Sequence, residues 1–134
     1  MFSNRVGIDM VKISRMEDIL MREKDTFIDR VLTSSEREYV FSASSAARRA
    51  EHLAGRFAAK EAASKALGTG VMAGGVAFTD FEILPSVGGA PQLHLKGKAK
   101  EIAEAMGVVS TSVSITHEGE YAAAICSLVT NEED

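Results

Sequence analysis

The sequence has one cysteine, Cys126, which excludes a disulfide within the chain. A reducing compartment suits such a protein. The core must be held by packing alone, and 134 residues are enough for that. Long apolar runs are missing as well. None approaches the roughly 20 residues that cross a bilayer, and residues 1–8 lack the apolar stretch of a secretory leader. A cytoplasmic protein with no membrane partner is the expectation. Excess positive charge is also lacking. The 15 Lys/Arg are outnumbered by 19 Asp/Glu, a net of −4, which speaks against bulk nucleic-acid binding. Basic residues are scarcest in the second half. Residues 68–134 hold 3 against 9 acids, whereas residues 1–67 hold 12 against 10. An acidic or phosphorylated partner would therefore meet the N-terminal half, although a solvated helical surface gives the same counts. There is no repeat, low-complexity tract or linker, so residues 1–134 read as one domain.

What is present reads as short strands around helices. Residues 5–9 form a short apolar run ending in Asp9, a buried strand with a polar tip. Ser14 and Glu17 have capping-box spacing, which predicts a helix over 15–23 with Met16, Ile19 and Leu20 inward. A short turn follows at 27–32. Thr33 and Glu36 repeat the capping pattern before a helix reaching Phe41. The longest helix spans 45–67. It is alanine-rich and free of proline, and Gly68 ends it. A flexible loop marked by Gly68, Gly70, Gly74 and Gly75 comes next. Residues 76–84 and 92–95 read as strands around an 85–91 loop. Residues 98–106 read as an amphipathic helix closed by Gly107. Val109, Thr111, Val113, Ile115 and His117 alternate onto one strand face. After a turn at 118–120 a strand over 121–129 returns as a hairpin. This order predicts an α+β domain, an antiparallel sheet with one long helix across it. The last strand is apolar on both sides, with Ala123, Ile125 and Val129 on one and Ala122, Ala124 and Leu128 on the other. So small a domain has few helices to cover both, and a subunit interface on the second face is expected.

On the long helix, Leu53, Phe57, Glu61 and Lys65 are spaced by four and share a face. Glu61 is thus an acid on an apolar stripe and needs a cation. Lys65 or a neighbouring arginine is one answer; a metal is the other. Asp9 adds a second carboxylate at a strand tip. Two carboxylates are too few for an all-protein cage, but they suit Mg²⁺, which keeps waters and takes further ligands from substrate phosphates. Lys60, Ser64 and Lys65 lie within a turn of Glu61 and offer cations and a hydroxyl to a pyrophosphate. A lysine at a helix C-terminus also has the simpler reading of offsetting the helix dipole.

Three stretches carry a family likeness. Gly7-Ile8-Asp9-Met10-Val11-Lys12-Ile13-Ser14-Arg15 resembles the G-x-D-x-x-x-I-x-R opening of the holo-acyl-carrier-protein synthases. Residues 56–70, from Arg56-Phe57-Ala58-Ala59-Lys60-Glu61 to Lys65 and Gly68-Thr69-Gly70, resemble their second motif, R-F-A-x-K-E-A-x-x-K-A-x-G-T-G. Ser114-Ile115-Thr116-His117 resembles the closing S-[IL]-[ST]-H. The likeness leaves only residues 131–134 outside. One departure stands in the loop Gly88-Gly89-Ala90-Pro91, where Ala90 replaces the basic residue of a family G-[KR]-P turn.

The resemblance implies a transferase that moves 4′-phosphopantetheine from coenzyme A to a serine of an acyl carrier protein, releasing adenosine 3′,5′-bisphosphate. It implies Mg²⁺ on Asp9 and Glu61. Lys65, Ser64 and Lys60 are implied at the phosphates, with Arg56 and Gly68 also in the coenzyme A site and His117 acting near it. Glu61 or a metal-held water would take the serine proton. The carrier is acidic in this family, so Arg15 and Arg22 are its implied docking contacts. A homotrimer is implied too, in which the 85–91 loop of one chain faces its neighbour's metal site. A coenzyme A or nucleotide-binding module without catalysis would share most of these motifs, and a purely structural trimer would use Asp9 and Glu61 as ordinary ion-pair partners.

Overall fold

In a computed structural model, which describes residues 1–22, 25–71 and 75–132, the chain forms two antiparallel sheets around one long helix. The elements in order are β1 (Phe2–Lys12), α1 (Ile13–Met21), α2 (Asp25–Val31), α3 (Ser34–Phe41), α4 (Ala46–Leu67), a 3₁₀ turn (Phe78–Asp80), β2 (Phe81–Pro85), β3 (Pro91–Leu95), α5 (Gly97–Met106), β4 (Val108–Glu118) and β5 (Tyr121–Asn131). One sheet has the order β1-β5-β4; β2 and β3 make a separate hairpin. The expected single sheet is therefore split in two. The expected helix end at Glu23, Gly74 of the glycine loop and Glu133-Asp134 of the tail lie outside the described residues.

Helix α4 lies on the three-stranded sheet, and its small residues let it come close. Ala58, Ala59, Ala62 and Ala66 are all buried. Gly55 belongs to the same surface, because a Cβ on it would sit 2.9 Å from Ile115 Cγ2 of β4. Ser45 caps α4 by accepting from the Arg48 amide at 3.1 Å, and Gly68 closes it at φ +81°. At α3 the capping box of Thr33 and Glu36 is complete. The one expected at Ser14 is not made. β1 continues to Lys12 and turns directly into α1, and the Ile13 amide donates to Glu120 O at 2.8 Å, so Ser14 already lies inside the helix.

Other boundaries also shift. Residues 78–80 form a 3₁₀ turn in place of the expected strand start, because Asp80 bends back to accept from the Ala77 amide at 3.3 Å. A register shift between Val108 and Ser110 takes Val109 out of the β4–β5 alternation, leaving Thr111, Val113, Ile115 and His117 on one face. β5 is buried on its α4 side through Ala122, Ala124, Cys126 and Leu128, whereas Ile125 on the other side is exposed. Among the described residues no helix is long and apolar enough to cross a membrane.

Candidate active site

The site begins with a glycine. Gly7 is buried on β1, and a Cβ there would stand 1.9 Å from Ala62 O and 2.8 Å from Ala66 N. Strand and helix backbones therefore touch at a place where only glycine fits. Side chains two apart share a strand face, so Asp9 projects on the same side as Gly7, against the last turns of α4. Lys65 Nζ donates to Asp9 Oδ1 and to Ile8 O, both at 3.0 Å. Glu61, one turn back, is part-buried. Burial and the negative charge of Asp9 push its carboxyl above the usual range, while Lys65 and Arg15 pull it back. The guanidinium of Arg15 lies 5.3 Å over the Phe57 ring, next to this group.

Asp9, Glu61, Lys65 and Arg15 thus form one cluster in which burial and the neighbouring acid work against the charged form of Glu61. Two neighbouring carboxylates offer hard oxygen ligands that fit a small divalent cation. Among the described residues no group of three or more His, Cys, Asp or Glu side chains converges. A metal on Asp9 and Glu61 would take its other ligands from water and substrate oxygens, which is Mg²⁺ chemistry and not that of a closed zinc site.

The remaining expected residues go elsewhere, and two of them require correction. Lys60 is fully buried, with its Nζ 2.6 Å from Glu36 Oε1 and 3.1 Å from Phe78 O, so it has no free path to a phosphate. Burial drives its pKa down and Glu36 opposes that. Ser64 is also fully buried and spends its hydroxyl on Glu61 O at 2.8 Å within its own helix. Gly68 is exposed at the end of α4, where Arg5 Nε donates to Ala66 O at 2.8 Å. Arg22 is exposed after α1.

His117 does not join the Asp9 cluster within one chain. Its Nδ1 lies 3.0 Å from Glu51 Oε2, and Glu51 precedes Glu61 by ten positions, about 15 Å along the helix axis. His117 instead borders a cleft of about 280 Å³ with Tyr39, His52, Arg56, Pro85 and Pro91. Arg56 lies 4.3 Å over the Tyr39 ring, and His52 stacks on the same ring at 5.0 Å. Burial lowers the pKa of both Arg56 and His52. Arg56 Nε and His52 Nδ1 are buried without a hydrogen-bond partner among the described residues. Sequence reasoning missed Glu36, Tyr39 and Glu51 as site residues, because their partners are distant in the chain.

The family model of the 4′-phosphopantetheinyl transferase superfamily matches residues 5–126. The chain belongs to that family. It is an enzyme, a phosphopantetheinyl transferase of the holo-[acyl-carrier-protein] synthase kind, which decides against the non-catalytic alternatives. Similar members include holo-[acyl-carrier-protein] synthases of Gloeobacter violaceus, 41% identical over 96% of this chain and 94% of that one, and of Vibrio atlanticus, 49% identical over 89% and 91%. Among solved transferases, the synthase of Bacillus anthracis in complex with CoA (3′,5′-ADP) superposes with a TM-score of 0.77 at 35% identity, covering 95% of this chain and 96% of that one. The Helicobacter pylori synthase in complex with coenzyme A gives 0.78 at 34%, covering 92% and 98%.

Proposed function

We propose that this transferase moves 4′-phosphopantetheine from coenzyme A to a serine of an acyl carrier protein in the cytoplasm, in support of fatty acid synthesis, with Mg²⁺ held by Asp9 and Glu61. The observation that carries this reading is the meeting of Asp9, Glu61 and Lys65 across the Gly7 contact, supported by kinship with synthases solved with coenzyme A. The serine oxygen attacks the β-phosphorus of the coenzyme A pyrophosphate. A new P–O bond forms, the bond to the bridging oxygen breaks, and adenosine 3′,5′-bisphosphate departs with that oxygen. Lys65 supplies charge to the phosphates, and Glu61 or a water held by Asp9 or Glu61 takes the serine proton. When bound, Mg²⁺ would add positive charge to the pyrophosphate oxygens as negative charge builds there.

The second cluster, with Arg56 and His117, offers a guanidinium and an imidazole to the remaining phosphate of coenzyme A. In one chain it lies far along α4 from Asp9. Yet Val6, Ile8, Met10 and Ile125 leave an apolar sheet face exposed, at 56%, 65%, 64% and 44%. Such a face is the mark of an interface. In this reading three chains pack through it, and the 85–91 loop and cleft of one chain meet the neighbour's Asp9–Glu61 pair. Arg15 and Arg22, exposed on the α1 side, then dock the acidic carrier, acting mainly on encounter rate. Arg15→Ala should weaken the salt dependence of carrier binding, and an unchanged salt slope would remove Arg15 from that role.

The decisive assay is mass. An apo-carrier protein incubated with the enzyme, coenzyme A and Mg²⁺ gains about 340 Da, the phosphopantetheine group. A chelator abolishes the gain, and Asp9→Asn slows it roughly 10²-fold or more. No gain with several carriers would overturn the reading.

A further inference from the structure

Lys60 and Glu36 stand outside the chemistry described so far, yet they form a fully buried ion pair at the centre of the molecule. Such a pair is a poor device for stability, since apolar side chains of similar volume commonly hold a core equally well. Its surroundings suggest another use. The Glu36 carboxylate accepts from donors on three separate elements. Oε1 takes the Thr33 amide at 2.9 Å, at the start of α3, and Lys60 Nζ at 2.6 Å, from α4. Oε2 takes the Ile83 amide at 2.8 Å, from β2. Thr33 Oγ1 continues the link to Glu82 Oε2 at 2.6 Å, and Glu82 Oε1 pairs with Lys96 at 2.9 Å.

Three of the walls of the Arg56–His117 cleft begin a few residues from one of these atoms; the fourth, β4 with Ile115 and His117, is separate. Tyr39 is three residues beyond Glu36 on α3. Arg56 is one turn before Lys60 on α4. Pro85 is two residues beyond Ile83, where β2 enters the 85–91 loop. The Arg56–Tyr39 stack and the Lys60–Glu36 pair are thus successive layers of a single α3–α4 contact.

We infer that Glu36 and Lys60 are positioning residues that hold the α3, α4 and β2 walls of this cleft in the spacing that binds coenzyme A. The inference rests on the reading of the cleft as part of the coenzyme A site. Neither residue touches substrate. Their carboxylate–ammonium contact sets where Tyr39, Arg56 and the loop stand relative to one another.

The test replaces the pair by apolar residues of similar size, Glu36→Leu with Lys60→Met. Coenzyme A binding is measured by calorimetry and steady-state kinetics with a saturating carrier. We expect a thermal midpoint near that of the parent, a Kd and KM for coenzyme A raised roughly tenfold or more, kcat within about threefold and an unchanged KM for the carrier. A well-folded double variant with parental Kd and KM for coenzyme A would overturn the inference. If the double variant does not fold, Glu36→Asp decides, because it keeps the charge and shortens the reach. Raised KM with kcat retained supports positioning, and parental KM refutes it. Failure of the parent enzyme itself to bind coenzyme A would instead refute the function proposed above.

Discussion

Glu61 sets a pH dependence at the level of the single residue. Its carboxyl is raised by burial and by Asp9, so the folded protein holds that proton more tightly than the unfolded chain. Stability of the metal-free protein therefore falls as pH climbs from the ordinary carboxylate range through the raised value, and the loss persists above it. Glu61→Gln removes the loss. The metal-free variant should melt above the parent at pH 7 and level with it at about pH 3, as followed by thermal unfolding in chelator. Equal midpoints at pH 7 would mean that neither burial nor Asp9 burdens the charged form of Glu61. Glu61 and Lys65 share a face as the four-residue helical repeat predicts, whereas Asp9, expected at a strand tip, lies inside β1, which continues to Lys12. Lys60 and Ser64 were misread. Motif spacing gives an angle around the helix, and being near Glu61 in sequence did not put them on its exposed side. The depth of Lys60 depends on α3 and the 3₁₀ turn, elements whose packing no local pattern encodes. For the same reason Glu51 could not be matched to His117, 66 positions away.

Between elements, the close pass of β1 over α4 is the most demanding contact in the fold. Gly7→Ala drives a methyl into the Ala62 carbonyl, a backbone atom that cannot rotate aside. We expect a loss of roughly 3 kcal/mol in urea denaturation and a fall in transfer rate, because Asp9 moves with the strand. Full stability would show that the strand can lift away freely. Elements with self-contained signals were read well from the sequence. The Thr33–Glu36 box and the glycine stops at Gly68 and Gly107 each complete their bonding within a few residues. Boundaries set by distant partners were not. β1 runs from Phe2 to Lys12 only because β5 pairs with all of it, and Ser14 loses its cap because Glu120, from the far end of the chain, supplies the bond at Ile13.

For the whole molecule, the α+β architecture and the two-sided β5 were readable because alternation in β5 failed on both faces at once. The split of the sheet was not, since nothing in residues 91–95 says which edge they join. The exposed face of Val6, Ile8, Met10 and Ile125 predicts assembly. Ile8→Asp should shift the mass in sedimentation equilibrium from an oligomer to a single chain and abolish transfer while leaving the circular dichroism spectrum intact. An unchanged mass would place any interface elsewhere. The pairing of β1 with β5 has a kinetic consequence as well. Lys12 meets Tyr121 and Phe2 meets Asn131, so β1 leaves the ribosome more than a hundred residues ahead of its partner β5 and waits for it. Until then its greasy side has no cover, whereas α4 can coil as soon as it is made. Folding of this protein should be slow for its size and sensitive to crowding of nascent chains, with sheet closure as the late step.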